Sequence, residues 1–285
     1  MTIQKIGVVG SGIMGAGVAE VAAASGADVI VRTRSRERTE AVLAQVASSL
    51  RRQVERATRS EGEAAAILGR VHASEQFTEL AQCQLVIETV VEDLAVKREL
   101  FRHIDEVVPP DTIIASCTST LPIIDLAAEV SFPERVCGVH FFNPVPSMAL
   151  VEVVRTLVTS DATLEAVRAF VRRCAKEPVD VADRAGFIVN ALLFPYLNNA
   201  IRLFESGVAT KEGIDVAMKG GCGFPMGPFT LLDLVGLDTS LAILEALYGE
   251  YGEPNYAPAP LLRRLVSAGR LGRKTGAGFY DYAAR

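Results

Sequence analysis

One short stretch limits the folds open to this chain more than any other. The apolar run at residues 6–9 passes directly into Gly10-Ser-Gly12-Ile13-Met14-Gly15, then into a helical pattern over 16–25, a break at Gly26, and a second strand over Asp28 to Arg32 with an apolar centre. Continuous apolar runs of this length suit parallel strands buried on both faces. Strand, glycine loop, helix and strand together form the unit that turns backbone N–H groups and a helix N-terminus toward a pyrophosphate. Gly10 allows the tight turn, Gly12 lets the backbone approach a phosphate, and Gly15 lets the helix pack on the strand. Ile13 and Met14 complete the loop. An ordinary glycine-rich turn would lack this strand before it and this helix after it. The reading is a dinucleotide-binding α/β domain.

The end of the second strand bears on which dinucleotide. An Asp or Glu there accepts from the adenosine ribose 2′-OH and repels a 2′-phosphate. This chain instead reads Val31-Arg32-Thr33-Arg34-Ser35-Arg36. Arginines beside a small hydroxyl residue suit a phosphate through charge-assisted hydrogen bonds. NADP(H) is therefore expected over NAD(H), which stays open; a solvated helix start would give the same arginines with no ligand role.

Composition removes several other classes. The chain has 285 residues, 49% of them hydrophobic and 22% charged, with a net charge of −5. That describes a globular protein with ample core. The arginines over 32–59 have no interleaved aromatics, so no nucleic-acid surface is expected. No apolar run is long enough for a bilayer, and the N-terminus has no signal-like apolar region. The five cysteines (83, 117, 137, 174 and 222) are scattered and show no metal-ligand spacing, so reduced thiols, no metal and a cytoplasmic location are expected.

Further along, residues 37–69 read as a long helical hairpin with its turn at Glu61-Gly62-Glu63. Strands are expected at 84–88 and 112–115, the second ending in Ser116-Cys117-Thr118-Ser119-Thr120. Hydroxyls at a strand's C-terminal end sit where open α/β sheets bind ligands, although Ser119 could equally cap the next helix. The run 136–139 delivers His140 into a loop of aromatics and prolines, Phe141-Phe-Asn143-Pro-Val-Pro146. Glu152 then interrupts the apolar run 150–154. A buried carboxylate needs a partner, and a histidine needs one to hold one tautomer, so His140 and Glu152 are read as a pair. From Phe187 the apolar spacing is helical. This sets a boundary near Arg184, with 1–184 as the dinucleotide domain and 185–285 as an all-α domain whose apolar face is expected to bury against a second copy.

Several segments, in order, carry a resemblance: Gly10-Ser-Gly-Ile-Met-Gly15, Val86-Ile-Glu-Thr-Val-Val-Glu-Asp93, His140-Phe-Phe-Asn-Pro-Val-Pro146, Gly186-Phe-Ile-Val-Asn190, Pro225-Met-Gly-Pro228, Asp233-Leu-Val-Gly-Leu-Asp238 and Gly272-Arg-Lys-Thr-Gly-Ala-Gly-Phe-Tyr280. Across essentially its whole length the chain resembles the 3-hydroxyacyl-CoA dehydrogenases, in particular the stand-alone bacterial 3-hydroxybutyryl-CoA type. The resemblance implies a Rossmann-like N-terminal domain, a helical C-terminal domain that dimerises, and an active site in the cleft between them. It implies interconversion of an L-3-hydroxyacyl-CoA and a 3-oxoacyl-CoA. His140 would be the general base, Glu152 its orienting partner, Ser119 a hydrogen-bond donor to the substrate oxygen, and Asn190 a contact to the reacting group. Glu92 and Lys97 match positions near the nicotinamide ribose, and Asn143 could support the loop or the thioester. On the hairpin, Ser49 and Arg56 match a serine and a basic residue that bind CoA.

Two departures stand out. Thr33 replaces the ribose-binding aspartate. Cys117 replaces an asparagine, and because a thiol is a poor donor it puts that contact to cofactor or substrate in doubt. Phe224 also replaces a residue that is often polar. The alternatives to an acyl-CoA enzyme are the same chemistry on a carrier-protein thioester and a non-catalytic cofactor-binding protein like the related crystallins. The intact His140, Glu152, Ser119 and Asn190 set argues against the second. The related 3-hydroxyacid dehydrogenases generally use a helix-borne lysine, and none stands in the matching context after Gly186.

Overall fold

In the computed structural model, residues 3–282 are described, and they divide into two compact units that meet in sequence at Asp183 and Arg184. The first unit runs β1 (Lys5–Val9), α1 (Ile13–Ala24), β2 (Asp28–Arg32), α2 (Arg36–Glu55), α3 (Glu61–Leu68), β3 (Val71–Ser74), β4 (Leu85–Glu88), α4 (Leu94–Val107), β5 (Ile113–Ser116), α5 (Ile123–Ala127), β6 (Val136–Phe141), β7 (Leu150–Arg155), α6 (Asp161–Arg173) and β8 (Glu177–Ala182). Its strands form one sheet in the order β3-β2-β1-β4-β5-β6-β7-β8. The first six are parallel, β7 runs antiparallel to β6, and β8 is parallel to β7. Strand order reverses between β1 and β4, the place where such sheets take a ligand at their C-terminal ends.

Glycine shapes that place. Gly10 has φ +125°, and a Cβ on Gly15 would lie 2.0 Å from the Gly10 carbonyl oxygen. A side chain at either position would push α1 off the loop. Residues Gly15 to Ala23 of α1 are all buried, so this helix is a core element of the α/β layer. Apolar residues of β1, β2, β4, β6 and β7 join it in the main core.

Two local expectations are corrected, and one strand was not expected. The turn of the helical hairpin is not at Glu61-Gly62-Glu63, which is the first turn of α3. Ser60 accepts the Glu63 N–H, and the Glu63 carboxylate returns to the Ser60 N–H at 2.8 Å. This reciprocal pair starts a helix, so the bend falls just before it, with Ala57 at φ 54°. His140 is not delivered into a loop. β6 continues through it to Phe141 because β7 folds back and pairs alongside. The edge strand β3 went unforeseen: only Val71 of its four residues is fully buried, too few to show an apolar run.

The second unit packs α7 (Val189–Glu205), α8 (Lys211–Cys222), α9 (Pro228–Val235), α10 (Leu237–Tyr251) and α11 (Pro260–Ser267) around Phe194, Leu197, Ile201, Phe229, Leu232 and Leu244. Its closing segment is tied down by one buried carboxylate. Asp233 accepts the N–H groups of Phe279 and Tyr280, each at 2.8 Å, and the Tyr282 hydroxyl at 3.0 Å. Gly278 lies so close that a Cβ would sit 2.0 Å from the same carboxylate. Among the described residues, no helix is long and apolar enough to cross a membrane.

Asp233→Ala leaves those two N–H groups without their acceptor. Hydrogen bonds to charged groups contribute about 1.5–3 kcal/mol each, so a loss of at least about 3 kcal/mol is expected. Urea-induced unfolding of the variant against the parent measures it, and equal midpoints would show that the tie contributes nothing.

Candidate active site

The β6–β7 reversal sets the central pair. In its register His140 stands directly opposite Glu152. Directly opposed residues on antiparallel strands have Cβ atoms about 4.5–5.5 Å apart on the same face. Their side chains meet there: His140 Nδ1 lies 2.6 Å from Glu152 Oε2. His140 is 4% exposed and Glu152 fully buried. A carboxylate taken out of water favours the tautomer that places a proton on Nδ1, which leaves Nε2 to face outward. Nε2 lies 3.0 Å from Ser119 Oγ, so the three side chains form one hydrogen-bonded line. The Phe142 ring lies against the imidazole, centroids 4.5 Å apart.

Ser119 lies on the loop after β5, and a carboxylate from the neighbouring strand's loop holds it. Glu92 Oε1 accepts the Ser119 N–H at 2.9 Å, the Thr120 N–H at 3.2 Å and the Thr118 hydroxyl. Glu92 Oε2 faces Lys97 Nζ at 3.6 Å. Lys97 is entirely buried and donates to Glu88 Oε1 at 2.6 Å. The sequence reading singled out Glu92 and Lys97 but gave Glu88 no role, although an acid closing the apolar run 85–88 was the available signal.

The residues expected to hold a dinucleotide line the start of α1 and the end of β2. Gly12 caps α1 without a side-chain acceptor, and a Cβ there would meet nothing within 4 Å. The opening turn of α1 has no acidic residue, and Ile13 is 69% exposed. This suits an anionic group at a helix N-terminus. Thr33 is buried, its hydroxyl 2.7 Å from that of Thr39. The three arginines have different surroundings. Arg32 stacks on Phe77 at 3.8 Å, Arg36 pairs with Glu40 at 3.0 Å, and Arg34 is exposed.

A cavity of about 360 Å³ lies between α1, α2 and the turn after β6, lined by Glu20, Ser49, Arg52 and Asn143 among others. Ser49 thus reaches it. Arg56 caps the end of α2 and does not line it, whereas Arg52, one turn earlier, does. Two features seat the turn that carries Asn143. Gly17 of α1 leaves room for Val145, whose Cβ lies 2.7 Å from where a Gly17 Cβ would be. Buried Lys176 donates to the carbonyls of Val145 at 2.7 Å and Met148 at 2.6 Å. Burial lowers its pKa, while Cys174 and Glu20 raise it. Neither Lys176 nor Glu20 was foreseen, because one charge in mixed sequence gives no sign of burial. Asn190, second residue of α7, is buried within the helical unit.

The 3-hydroxyacyl-CoA dehydrogenase NAD-binding-domain model matches residues 5–184, and the model of that family's C-terminal domain matches 186–282. A 3-hydroxybutyryl-CoA dehydrogenase of Mycobacterium tuberculosis is 48% identical over 282 residues, 98% of this chain and 99% of that one. The chain belongs to the 3-hydroxyacyl-CoA dehydrogenase family. The crystal structure of (S)-3-hydroxybutyryl-CoA dehydrogenase from Ralstonia eutropha superposes with a TM-score of 0.96 at 43% identity, covering 99% of this chain and all of that one. Human mitochondrial hydroxyacyl-coenzyme A dehydrogenase is 41% identical, covering 98% of this chain and 91% of its own. The chain is thus an oxidoreductase with a nicotinamide-dinucleotide domain, Rossmann-like in its N-terminal unit and helical in its C-terminal one.

Within this family member, Cys117 is held as a neutral thiol. Burial pushes it up to about 12, against the pull of the Phe141 backbone. Burial likewise pushes Cys83 and Cys137 up to about 12 and Cys174 up to about 11. Cys222 is exposed. Thiolate is the nucleophilic form. Iodoacetamide near pH 8 should therefore label Cys222 first and spare Cys117, as read by peptide mass mapping, with turnover preserved. Early labelling of Cys117 would contradict its neutral state.

Proposed function

We propose that this protein interconverts short-chain L-3-hydroxyacyl-CoA and 3-oxoacyl-CoA, 3-hydroxybutyryl-CoA being the expected substrate, with NADP(H) preferred over NAD(H). The observation that carries the chemistry is the line from Ser119 through His140 to Glu152. The nicotinamide, when bound, accepts the hydride from C3 in oxidation and returns it in reduction. Gly10, Gly12, Ile13, Met14 and Gly15 would hold its pyrophosphate, and Thr33 and Arg34 would lie at its adenosine ribose. Glu92, Cys117 and Asn143 would border its reactive end, with Lys97 acting through Glu92.

In oxidation, His140 Nε2 removes the proton from the substrate's 3-hydroxyl. The Nδ1 proton stays on the ring, where Glu152 holds it and stabilises the imidazolium that forms. Ser119 Oγ donates to the same substrate oxygen and fixes it beside Nε2. In reduction the imidazolium gives the proton back. Ser49 and Arg52 at the cavity, with Arg56 beyond it, attract the CoA phosphates and leave the pantetheine arm to the cavity. Exposed Leu192 and Val216, at 72% and 68%, support a homodimer built through the helical unit.

His140→Ala should lower kcat by about 10²–10⁴ for acetoacetyl-CoA reduction while the cofactor dissociation constant stays within about twofold. Unchanged turnover would remove His140 from the mechanism. The 2′-phosphate preference rests on Arg34. Arg34→Ala should weaken NADPH about tenfold, the loss of one charge-assisted hydrogen bond, and leave NADH nearly unaffected in titrations of cofactor alone. Equal loss for both cofactors would show that Arg34 does not read the phosphate.

A further inference from the structure

Glu88 closes β4 one layer behind the line of active side chains, fully buried. Three donors converge on its carboxylate: Lys97 Nζ and the Val90 N–H on Oε1, and the Ser116 hydroxyl on Oε2, each at 2.6 Å. A core that needed only volume would gain nothing from this arrangement, because a buried ion pair is often no better than apolar packing. Where the three donors lead is informative. Val90 is two residues before Glu92. Lys97 faces Glu92 Oε2. Ser116 is three residues before Ser119. Two routes from one carboxylate therefore end on one turn. One runs along β5 into residues 117–120, and the other runs through Glu92, whose Oε1 gathers Thr118, Ser119 and Thr120.

We propose that Glu88 is a positioning residue for the reaction, holding the Ser119 hydroxyl against His140 through Lys97, Glu92 and Ser116. This role rests on Ser119 and His140 acting on the substrate oxygen. The Lys97 ammonium, fixed by Glu88, keeps the Glu92 carboxylate turned to the Ser119 turn. The glycine loop is held independently, since Thr89 is tied to Val9 by its own N–H at 2.8 Å. Losing Glu88 therefore acts mainly on turnover, through the Ser119 turn, and leaves the glycine loop's support in place. A misplacement of about 1 Å at a reacting group can cost about 10²-fold in rate.

The test is a double-mutant cycle on the full-length enzyme with acetoacetyl-CoA, alongside cofactor titration. Glu88→Gln should lower kcat by up to about 10²-fold, and by no more than Ser119→Ala does, with a smaller fold-change in the cofactor dissociation constant than in kcat. Placed in the Ser119→Ala enzyme, Glu88→Gln should cost nothing further, because residues that act through one another are not additive. Ser116→Ala removes one hydrogen bond from Glu88 without unpairing its charge. It should show the same pattern on a smaller scale, and it decides the question if Glu88→Gln does not fold. Additive losses, or a Ser116→Ala enzyme with the parent's kcat, would overturn the proposal. An inactive parent enzyme, or a Ser119→Ala variant as active as the parent, would instead refute the assignment of substrate or of Ser119.

Discussion

The reversal of one strand governs the chemistry here. Six strands of the sheet are parallel, and a seventh parallel strand would need a long crossover, which would carry its residues away from those of β6. Instead β7 turns back along β6, and the register sets His140 opposite Glu152. The side-chain period of a strand is two, so a slip of one residue would send one partner to the opposite face of the sheet. The pairing of a buried imidazole with a buried carboxylate is thus fixed by backbone hydrogen bonds, and no side chain has to search for its partner. Gly138 helps keep this register close, since a Cβ there would lie 2.7 Å from Cβ of Val154, its partner on β7.

The neighbouring strand ends do different work. β4 closes on Glu88 and β5 on Ser116, and both side chains are completely buried. Their partners span two loops that must stay in step: the one after β4, carrying Glu92, and the one after β5, carrying Ser119. Buried charge is costly unless it is paired and hydrogen-bonded. Here the cost is offset by three short bonds on the Glu88 carboxylate, and the result is a stiff support behind a half-buried serine. The carboxylate of Glu152 supports the histidine in the same way. The two reacting side chains proposed above are thus each held by a carboxylate they do not share.

Much of this was legible in the sequence because it follows from period and punctuation. The apolar runs 6–9 and 136–139 and the strand read at 28–32 stand as β1, the body of β6 and β2, and the glycines opening α1 stand where a close approach requires them. The His140–Glu152 pair was legible too, since one carboxylate in an apolar strand demands a partner. Other features were not. The hairpin bend was misplaced because Gly62 suggests a turn, whereas Ser60 and Glu63 make a capping box and start a helix there. Lys176 and Lys97 look like surface residues in a one-dimensional reading. Each is buried because carbonyl or carboxylate partners arrive from distant elements. Long-range electrostatic partners leave no periodic trace in the chain that carries them.

The C-terminal end of β2 shows how a charge count can mislead and geometry correct it. Three arginines within five residues suggest a strongly cationic pocket. One of them lies over Phe77, where burial lowers its pKa and the neighbouring Arg34 lowers it further. Another is paired with Glu40 on the exposed first turn of α2, where an ion pair contributes about 0.3–0.5 kcal/mol and adds little net charge. The Thr33 hydroxyl turns toward Thr39. An aspartate in place of Thr33 would bring a carboxylate into that buried position, beside an arginine already stacked on a ring. The chain has a compact, neutral hydroxyl there and carries its positive charge one residue further out. Of these three guanidiniums only that of Arg34 is exposed and neither stacked on Phe77 nor paired with Glu40, which limits any cofactor preference to what one such contact supplies.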